Sequence, residues 1–398
     1  MDNLIKKLAL LGFNPQTPEK PSKKKNPFPA ISKVIDGNWL DEKEKKVYIS
    51  ETVLPYPFNH GNVLIEKIPD LRHFSVLLDD PSYQSFPSGQ YLFLDTETTN
   101  LGLGSGTLIF MVGLCWFEQE GLKTRQYFLQ DISAEPVFLL NIHSFLEKFS
   151  SLVSFNGKTF DIPLLQSRFG INRIPEKIRE LRHIDLLHVS RNLFKRNITS
   201  KRLVDIETEI LRFQRTGDDI PGWLIPQAYF DYLETGESAP IGSIFYHNRM
   251  DIISLAVLAN YLAEFFEERQ INNNIQTSLA ELLLKNRNFP LSLEFFSKNW
   301  HDGDLTSLDR PGLRNFGYVL KKSGCWEQAL TVWEKSAGNG DIHAHIELAK
   351  FFEHHQKNTR MALYWTEKAI MISNEEKARI GLVHRKSRLL KKLAKENG

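Results

Sequence analysis

The stretch YLFLDTETTNLGLGSGTLIFMVGLCWF, residues 91–117, decides the fold. YLFLD is a short apolar run ending in an acid, the pattern of a central strand covered on both faces. A glycine-rich turn, LGLGSG, follows, and TLIFMVGLCWF reads as the next strand. Thr124 to Leu129 reads as a third, so the three form an antiparallel meander. Upstream, KVYISETVL (46–54) alternates like a strand, and the irregular, proline-containing segment to Gly89 reads as an N-terminal cover on the same domain. Downstream, PVFLLNIHSFLEKFS (136–150) has apolar residues at helical spacing, LVSF (152–155) is another apolar strand, and helical patterns run to about residue 268. Strands first, then a helix, a strand and more helices predict an α/β fold, a mixed sheet flanked by helices.

Two further regions frame this domain, read as residues 46–268. Residues 1–45 open with an amphipathic helix candidate, Leu4 to Leu11, followed by PQTPEKPSKKKNPFP. Five prolines and the run Lys23, Lys24, Lys25 build no core, so a flexible segment is expected. From about residue 273 to 398 the strand signal stops and a repeat begins. WEQALTVWEKSA (326–337) aligns with TRMALYWTEKAI (359–370) at an offset of 33, and FPLSLEFFSKNW (289–300) is a weaker copy. Small residues at helix contacts with large apolar ones a turn away predict an all-α helical-repeat domain of the tetratricopeptide kind. A non-repetitive bundle is the alternative.

Composition narrows the function classes. The chain has 398 residues, 41% apolar and 25% charged, with a net charge of +2. Any nucleic-acid surface must therefore be a local patch. Cys115 and Cys325, the two cysteines, fall in different regions and read as packing residues, which argues against a disulfide framework and fits a reducing cytoplasm. The apolar core of MDNLIKKLALLGF is too short for a signal peptide, and no stretch reaches the ~20 apolar residues of a membrane span.

Acidic residues carry the chemical signal. Asp95 and Glu97 sit at i and i+2 of the buried strand and so share a face. Two carboxylates converging there are costly unless a cation neutralises them, and a hard divalent ion with oxygen ligands does so. An acid that merely ends the strand in solvent is the plainer reading of that pair alone. SFNGKTFDIPLL places Asp161 after a strand and an Asn-Gly turn, where capping of the next helix is the plainer role. FYHNRMDIISLAVLANYL places Asp251 at the edge of an apolar helix face, with His247 one turn before it on the same face. Residues 182–202 carry Arg182, Arg191, Lys195, Arg196, Lys201 and Arg202 against one acid, Asp185, the best phosphate-binding patch in the chain. Asp185 itself reads as a structural hydrogen-bond or salt-bridge partner, and Asp218/Asp219 and His354/His355 as loop and surface.

The set D-x-E, N-x-x-x-F-D and H-N-x-x-D resembles the DEDD 3′-5′ exonucleases, and within them the YprB-type ribonuclease-H-like domain of bacteria. TETTNLGLGSGTLIFMVG is similar to that family's first motif, and HIDLLHVSRNLF (183–194) to the stretch between its second and last motifs. The likeness covers about residues 46–268, and helical repeats also recur in the family. It implies a ribonuclease-H-like exonuclease holding two Mg²⁺ or Mn²⁺ ions. Asp95 would bridge both ions, Glu97 and Asp251 would complete the first site, and Asp161 would hold the second. Thr98 and Leu101 would grip the terminal nucleotide, Asn156 and Phe160 would meet phosphate and sugar, and Arg191 would belong to the basic patch. Nucleic acid is the implied substrate, with DNA weakly favoured over RNA and a role in DNA repair or nucleic-acid processing. A helicase is the implied partner of the repeats. The chain departs from the family twice. Asn100 stands where glycine is usual. Tyr246 and His247 lie five and four residues before Asp251, the reverse of the histidine and tyrosine positions that define the two subclasses. His247 is favoured as general base because it shares the face of Asp251. Two other readings remain: an inactive nuclease fold that recruits nucleic acid or a helicase, and a proofreading module, for which no polymerase domain is present.

Overall fold

The structure, a computed structural model, describes residues 30–396 apart from 42, 45, 86–87, 101–105, 176, 268–270, 299 and 301–304. The helix candidate Leu4 to Leu11, the lysine run and Leu101 lie outside the described residues. The nine strands found among them are β1 Asn38–Trp39, β2 Val47–Pro55, β3 Phe58–His60, β4 Val63–Ile65, β5 Tyr91–Thr98, β6 Ile109–Glu118, β7 Gly121–Leu129, β8 Ser151–Ser154 and β9 Arg182–Asp185. Seven form one mixed sheet in the order β1-β2-β7-β6-β5-β8-β9, while β3 and β4 make a separate hairpin. β5, β6 and β7 are the antiparallel meander, and β8 and β9 join β5 in parallel. This is the mixed sheet flanked by helices that the order of strands and helices predicted.

Three strands go beyond the sequence reading. β2, read as a strand where the N-terminal cover begins, belongs to the main sheet: it pairs with β7 along its whole length, from Val47 opposite Leu129 to Pro55 opposite Gly121. β1 then pairs with β2, and Ile31 is buried, so residues 30–41 join the fold although the sequence placed them in the flexible segment. β9 gave no signal because four residues with one apolar side chain, Ile184, show no period.

Helices cover both sheet faces. We label α1 Glu135–Leu146, α2 Asp161–Ile171, α3 Leu186–Leu193, α4 Ile225–Thr235 and α5 Ala239–Ala263. Alternation along β5 splits the core: Tyr91 and Phe93 join Ile252, Leu255 and Leu258 of α5, whereas Leu92 and Leu94 join Phe138 of α1 and Phe169 of α2. Asp95 and Glu97 continue the Tyr91/Phe93 row. That parity aims them towards the face on which α5 lies.

Seven more helices follow: α6 Asn273–Lys285, α7 Phe289–Ser297, α8 Arg310–Lys322, α9 Trp326–Gly338, α10 Ile342–His354, α11 Thr359–Ile372 and α12 Glu376–Glu396. The two aligned repeat segments form α9 and α11, and their equivalent Ala329 and Ala362 are both fully buried. Gly317 of α8 lets Trp333 of α9 lie against the backbone, since a Cβ there would stand 2.5 Å from the indole Nε1. This all-helical region does not stand outside the first domain, as the sequence suggested. Its apolar residues, from Ile275 through Phe316 to Trp333, continue the core around Phe93 and Leu258. Among the described residues no helix is long and apolar enough to cross a membrane.

Arg196 locks the two regions together. It bonds Glu281 of α6 through two nitrogens, at 2.7 and 2.8 Å, and Asp309 before α8 at 2.9 and 3.0 Å, and Lys195 meets Glu281 at 2.5 Å. Glu281 is buried, so removing the guanidinium leaves its carboxylate short of partners. Arg196→Ala is expected to cost about 3 kcal/mol in urea unfolding. An unchanged midpoint would show that the two regions are held by apolar packing alone.

Candidate active site

The strand end, two helix positions and one loop converge on a cluster of acids. Asp95 faces Gly113 of β6, which in turn faces Gln126 of β7. Asn248 of α5 lies across that row. Its Nδ2 donates to Asp95 Oδ2 at 2.9 Å, and its Oδ1 accepts from Gln126 Nε2 at 2.9 Å. Gly113 makes this possible, because a Cβ there would stand 2.2 Å from Asn248 Oδ1. Glu97 is buried two residues along, just before a register shift between Glu97 and Thr98.

Asp161 is the first residue of α2, and the cap position before it is held by Phe160, whose side chain makes no cap hydrogen bond. Thr96 Oγ1 donates to Asp161 Oδ1 at 2.5 Å. The turn before it is shaped by Asp185, which accepts from the backbone N–H groups of Asn156, Lys158 and Leu187 at 2.8, 3.1 and 3.1 Å. Asp185 is thus a structural acceptor, as the sequence indicated. Asn156 takes the left-handed conformation, with φ 67°, that lets the chain reverse.

On α5, His247 and Asp251 stand one turn apart, with Nε2 3.5 Å from Oδ2. One ligand atom each of Glu97, His247 and Asp251 lie within 4.8 Å of one another. The loop after a π-helical turn, Glu207–Leu211, closes this side. Arg215 on that loop bonds Glu207 at 2.7 and 2.8 Å and also donates to Asp251 Oδ1. Asp219 Oδ1 meets His247 Nδ1 at 2.8 Å, which leaves Nε2 facing the acids. Tyr246 turns elsewhere, its hydroxyl accepting from the Thr216 N–H at 2.9 Å.

Electrostatics mark the cluster as short of positive charge. Burial pushes the Asp95 carboxyl well above the usual range, and Asp251, Glu97 and Asp161 push it further. Burial likewise raises Glu97, with Asp251 and Asp161 adding to it. Burial lifts Asp161 to about 6 despite the Thr96 hydrogen bond. Burial works against the charge of Arg215, yet Glu207 and Asp251 hold its pKa above the ordinary value.

A stability signature follows. A carboxyl raised from 3.8 to about 6 is protonated on folding between those values, so its stabilising proton is lost as pH rises through 6. Asp161→Asn should therefore stabilise the metal-free protein at pH 7.5 by on the order of 2 kcal/mol, with the advantage closing towards pH 4. The difference between variant and wild type is the readout. His60 and His183, which burial holds down to about 4, lower the stability of both proteins in the same acid range. A gap that does not vary with pH would place Asp161 outside the electrostatic cluster.

The substrate residues named from the sequence are less gathered. Thr98 is buried, its Oγ1 donating to the Asn100 carbonyl at 2.6 Å. Asn156 is exposed and bonds Thr159 Oγ1 through its Oδ1 at 2.7 Å. Phe160 is half-buried beside Asp161, and Arg191 is exposed on the last turn of α3. The basic stretch is largely spent, since Lys195 and Arg196 serve the helical region and Arg202 pairs with Asp205 at 2.8 Å. Sequence reasoning missed Gln126, Glu207, Arg215 and Asp219, taking Asp219 for a loop residue without a role, and gave Asn248 no role. The adjoining H-N in HNRMD was the one available hint.

The family model of the RNase_H superfamily matches residues 92–263, which hold all four carboxylates. YprB of Bacillus subtilis (strain 168) is 28% identical over 333 residues, 79% of this chain and 78% of that protein. A solved family B DNA polymerase from the hyperthermophilic archaeon Pyrobaculum calidifontis is similar at a TM-score of 0.38 and 15% identity. That match covers 63% of this chain and only 33% of the polymerase. Residues 92–263 thus form a ribonuclease-H-like domain, and the chain as a whole is similar to YprB over most of its length.

Proposed function

We propose that the protein is a metal-dependent 3′-5′ exonuclease that hydrolyses phosphodiester bonds of nucleic acid. One observation carries this reading: four carboxylates from three separate segments meet where burial raises three of them and repulsion within the cluster adds to it at Asp95 and Glu97. Such a cluster suits divalent cations, and its oxygen donors fit Mg²⁺ or Mn²⁺. Asp95 and Asp251 each have one oxygen tied to a donor side chain, with the other oxygen of Asp251 facing His247, while Asp161 accepts from Thr96 Oγ1 and from backbone N–H groups. Asp95, Glu97 and Asp251 would hold one ion, and Asp95 with Asp161 a second. When bound, the ions would stabilise charge on the attacking and leaving oxygens of an in-line displacement.

The chain's own groups supply the rest. His247, held through Nδ1 by Asp219, presents Nε2 as the base that takes a proton from the attacking water. Thr98, Asn156 and Phe160 would position the terminal nucleotide, together with Leu101 and Arg191. The helical region from residue 273, read as tetratricopeptide-like, is assigned to partner binding, with a helicase as the partner and DNA as the favoured substrate.

The test is degradation of end-labelled single- and double-stranded DNA and RNA in Mg²⁺ or Mn²⁺. Shortening from the 3′ end, stopped by chelator, is expected. Ladders that begin at the 5′ end refute the polarity, and undiminished cleavage in excess chelator refutes the chemistry.

A further inference from the structure

Arg215 is a buried cation at the edge of the acid cluster, and it reaches several partners at once. Its Nε and Nη2 bond the two oxygens of Glu207 at 2.8 and 2.7 Å. Nη2 also bonds Asp251 Oδ1, and Nη1 lies 3.6 Å from Asp219 Oδ2. We propose that Arg215 is a permanent cation of the centre, a positioning residue that presents Asp251 as a one-oxygen ligand and steadies the Asp219–His247 pair. This rests on the metal-dependent reading of the site given above.

The other carboxylates show the same design with different donors. Asn248 holds Asp95 by Oδ2, and Thr96 holds Asp161 by Oδ1. Arg215 does for Asp251 what those neutral groups do for the first two, leaving Oδ2 as the oxygen that faces His247. A guanidinium suits this place because its rigid fork can bond one carboxylate with two N–H groups and still aim a third at another acid. Donors behind a metal ligand fix its orientation, and they matter to affinity almost as much as the ligand itself.

A cation so close to the ligands has an opposite reading, as a plug that must leave before a metal enters. The anchor argues against departure. Glu207 has no exposed side-chain surface and is fixed on the π-helical turn, and Ser254 also hydrogen-bonds it. If Arg215 swung out, that buried carboxylate would lose its cationic partner.

Titration calorimetry of Mn²⁺ into the metal-free, full-length protein separates the two readings. The main variant combines Arg215→Gln with Glu207→Gln, which removes both charges of the buried pair and leaves the net charge unchanged. Arg215→Lys is the second variant; it keeps the charge but cannot fork. The double variant is expected to bind Mn²⁺ about 10- to 100-fold more weakly than wild type, while its thermal midpoint stays close to the wild-type value. Arg215→Lys should fall between the two, and its affinity decides between the readings if the double variant does not fold. Tighter Mn²⁺ binding in the variants would make Arg215 a competitor, and unchanged binding would make it scaffold; either result overturns the proposal. If the wild type binds no Mn²⁺, the metal-dependent reading fails first.

Discussion

Asp95→Asn is expected to abolish hydrolysis and, in the same molecule, to make the metal-free protein more stable. The two effects have one cause. Asp95 shares its space with Glu97, Asp161 and Asp251, and both burial and those charges work against its ionised form. An amide removes the charge and keeps the shape, and its oxygen still accepts the Asn248 N–H that now reaches Oδ2. In chelator the unfolding free energy should rise by on the order of 1–2 kcal/mol. With Mn²⁺ present, loss of the ligand shared by both proposed ions should slow turnover by about 10⁴-fold or more, some 5 kcal/mol of barrier. Single-turnover cleavage of an end-labelled strand and thermal melts in chelator measure the two effects. Activity within tenfold of wild type would place the chemistry elsewhere. A lower melting point would mean that the carboxylate is held by favourable partners rather than kept under repulsion.

Gly113→Ala should damage the site without touching any acid. The methyl group would project into Asn248, with approaches of 2.2 Å to Oδ1, 2.8 Å to Cγ and 2.9 Å to Nδ2. Asn248 has nowhere to go: it is fully buried and held between Gln126 and Asp95. Overpacking of this kind costs about 1–3 kcal/mol. Any shift of Asn248 also moves Asp95, and a ligand displaced by about 1 Å can cost on the order of 10²-fold in rate. Gly170→Ala on α2 is the matched control. Nothing lies within 4 Å of its added Cβ, and alanine in a helix should stabilise by about 0.5–1 kcal/mol with turnover unchanged. Equal behaviour of the two variants would remove the argument for the Gly113–Asn248–Asp95 row.

The sequence alone determined the β5–β7 meander and the strand face that Asp95 and Glu97 share, because both depend on short-range pattern. The parity of β5 is written in YLFLDTE: alternate residues must face opposite sides, and two acids two positions apart must share one. The helix carrying His247 and Asp251 is equally local, since one turn separates them whatever lies around. Tertiary structure alone decided how those acids are held. Arg215 follows a π-helical turn and no sequence period places it against Asp251, some 36 residues on. Gln126 looks like one polar residue of an alternating strand until β5, β6 and β7 align it with Gly113 and Asp95. Arg196 read as part of a phosphate-binding patch because its partners, Glu281 and Asp309, lie more than 80 residues further along the chain. The reason is common to all three. A side chain's period reports which face it occupies, whereas the hydrogen bonds and charges it meets are set by segments that only folding brings together.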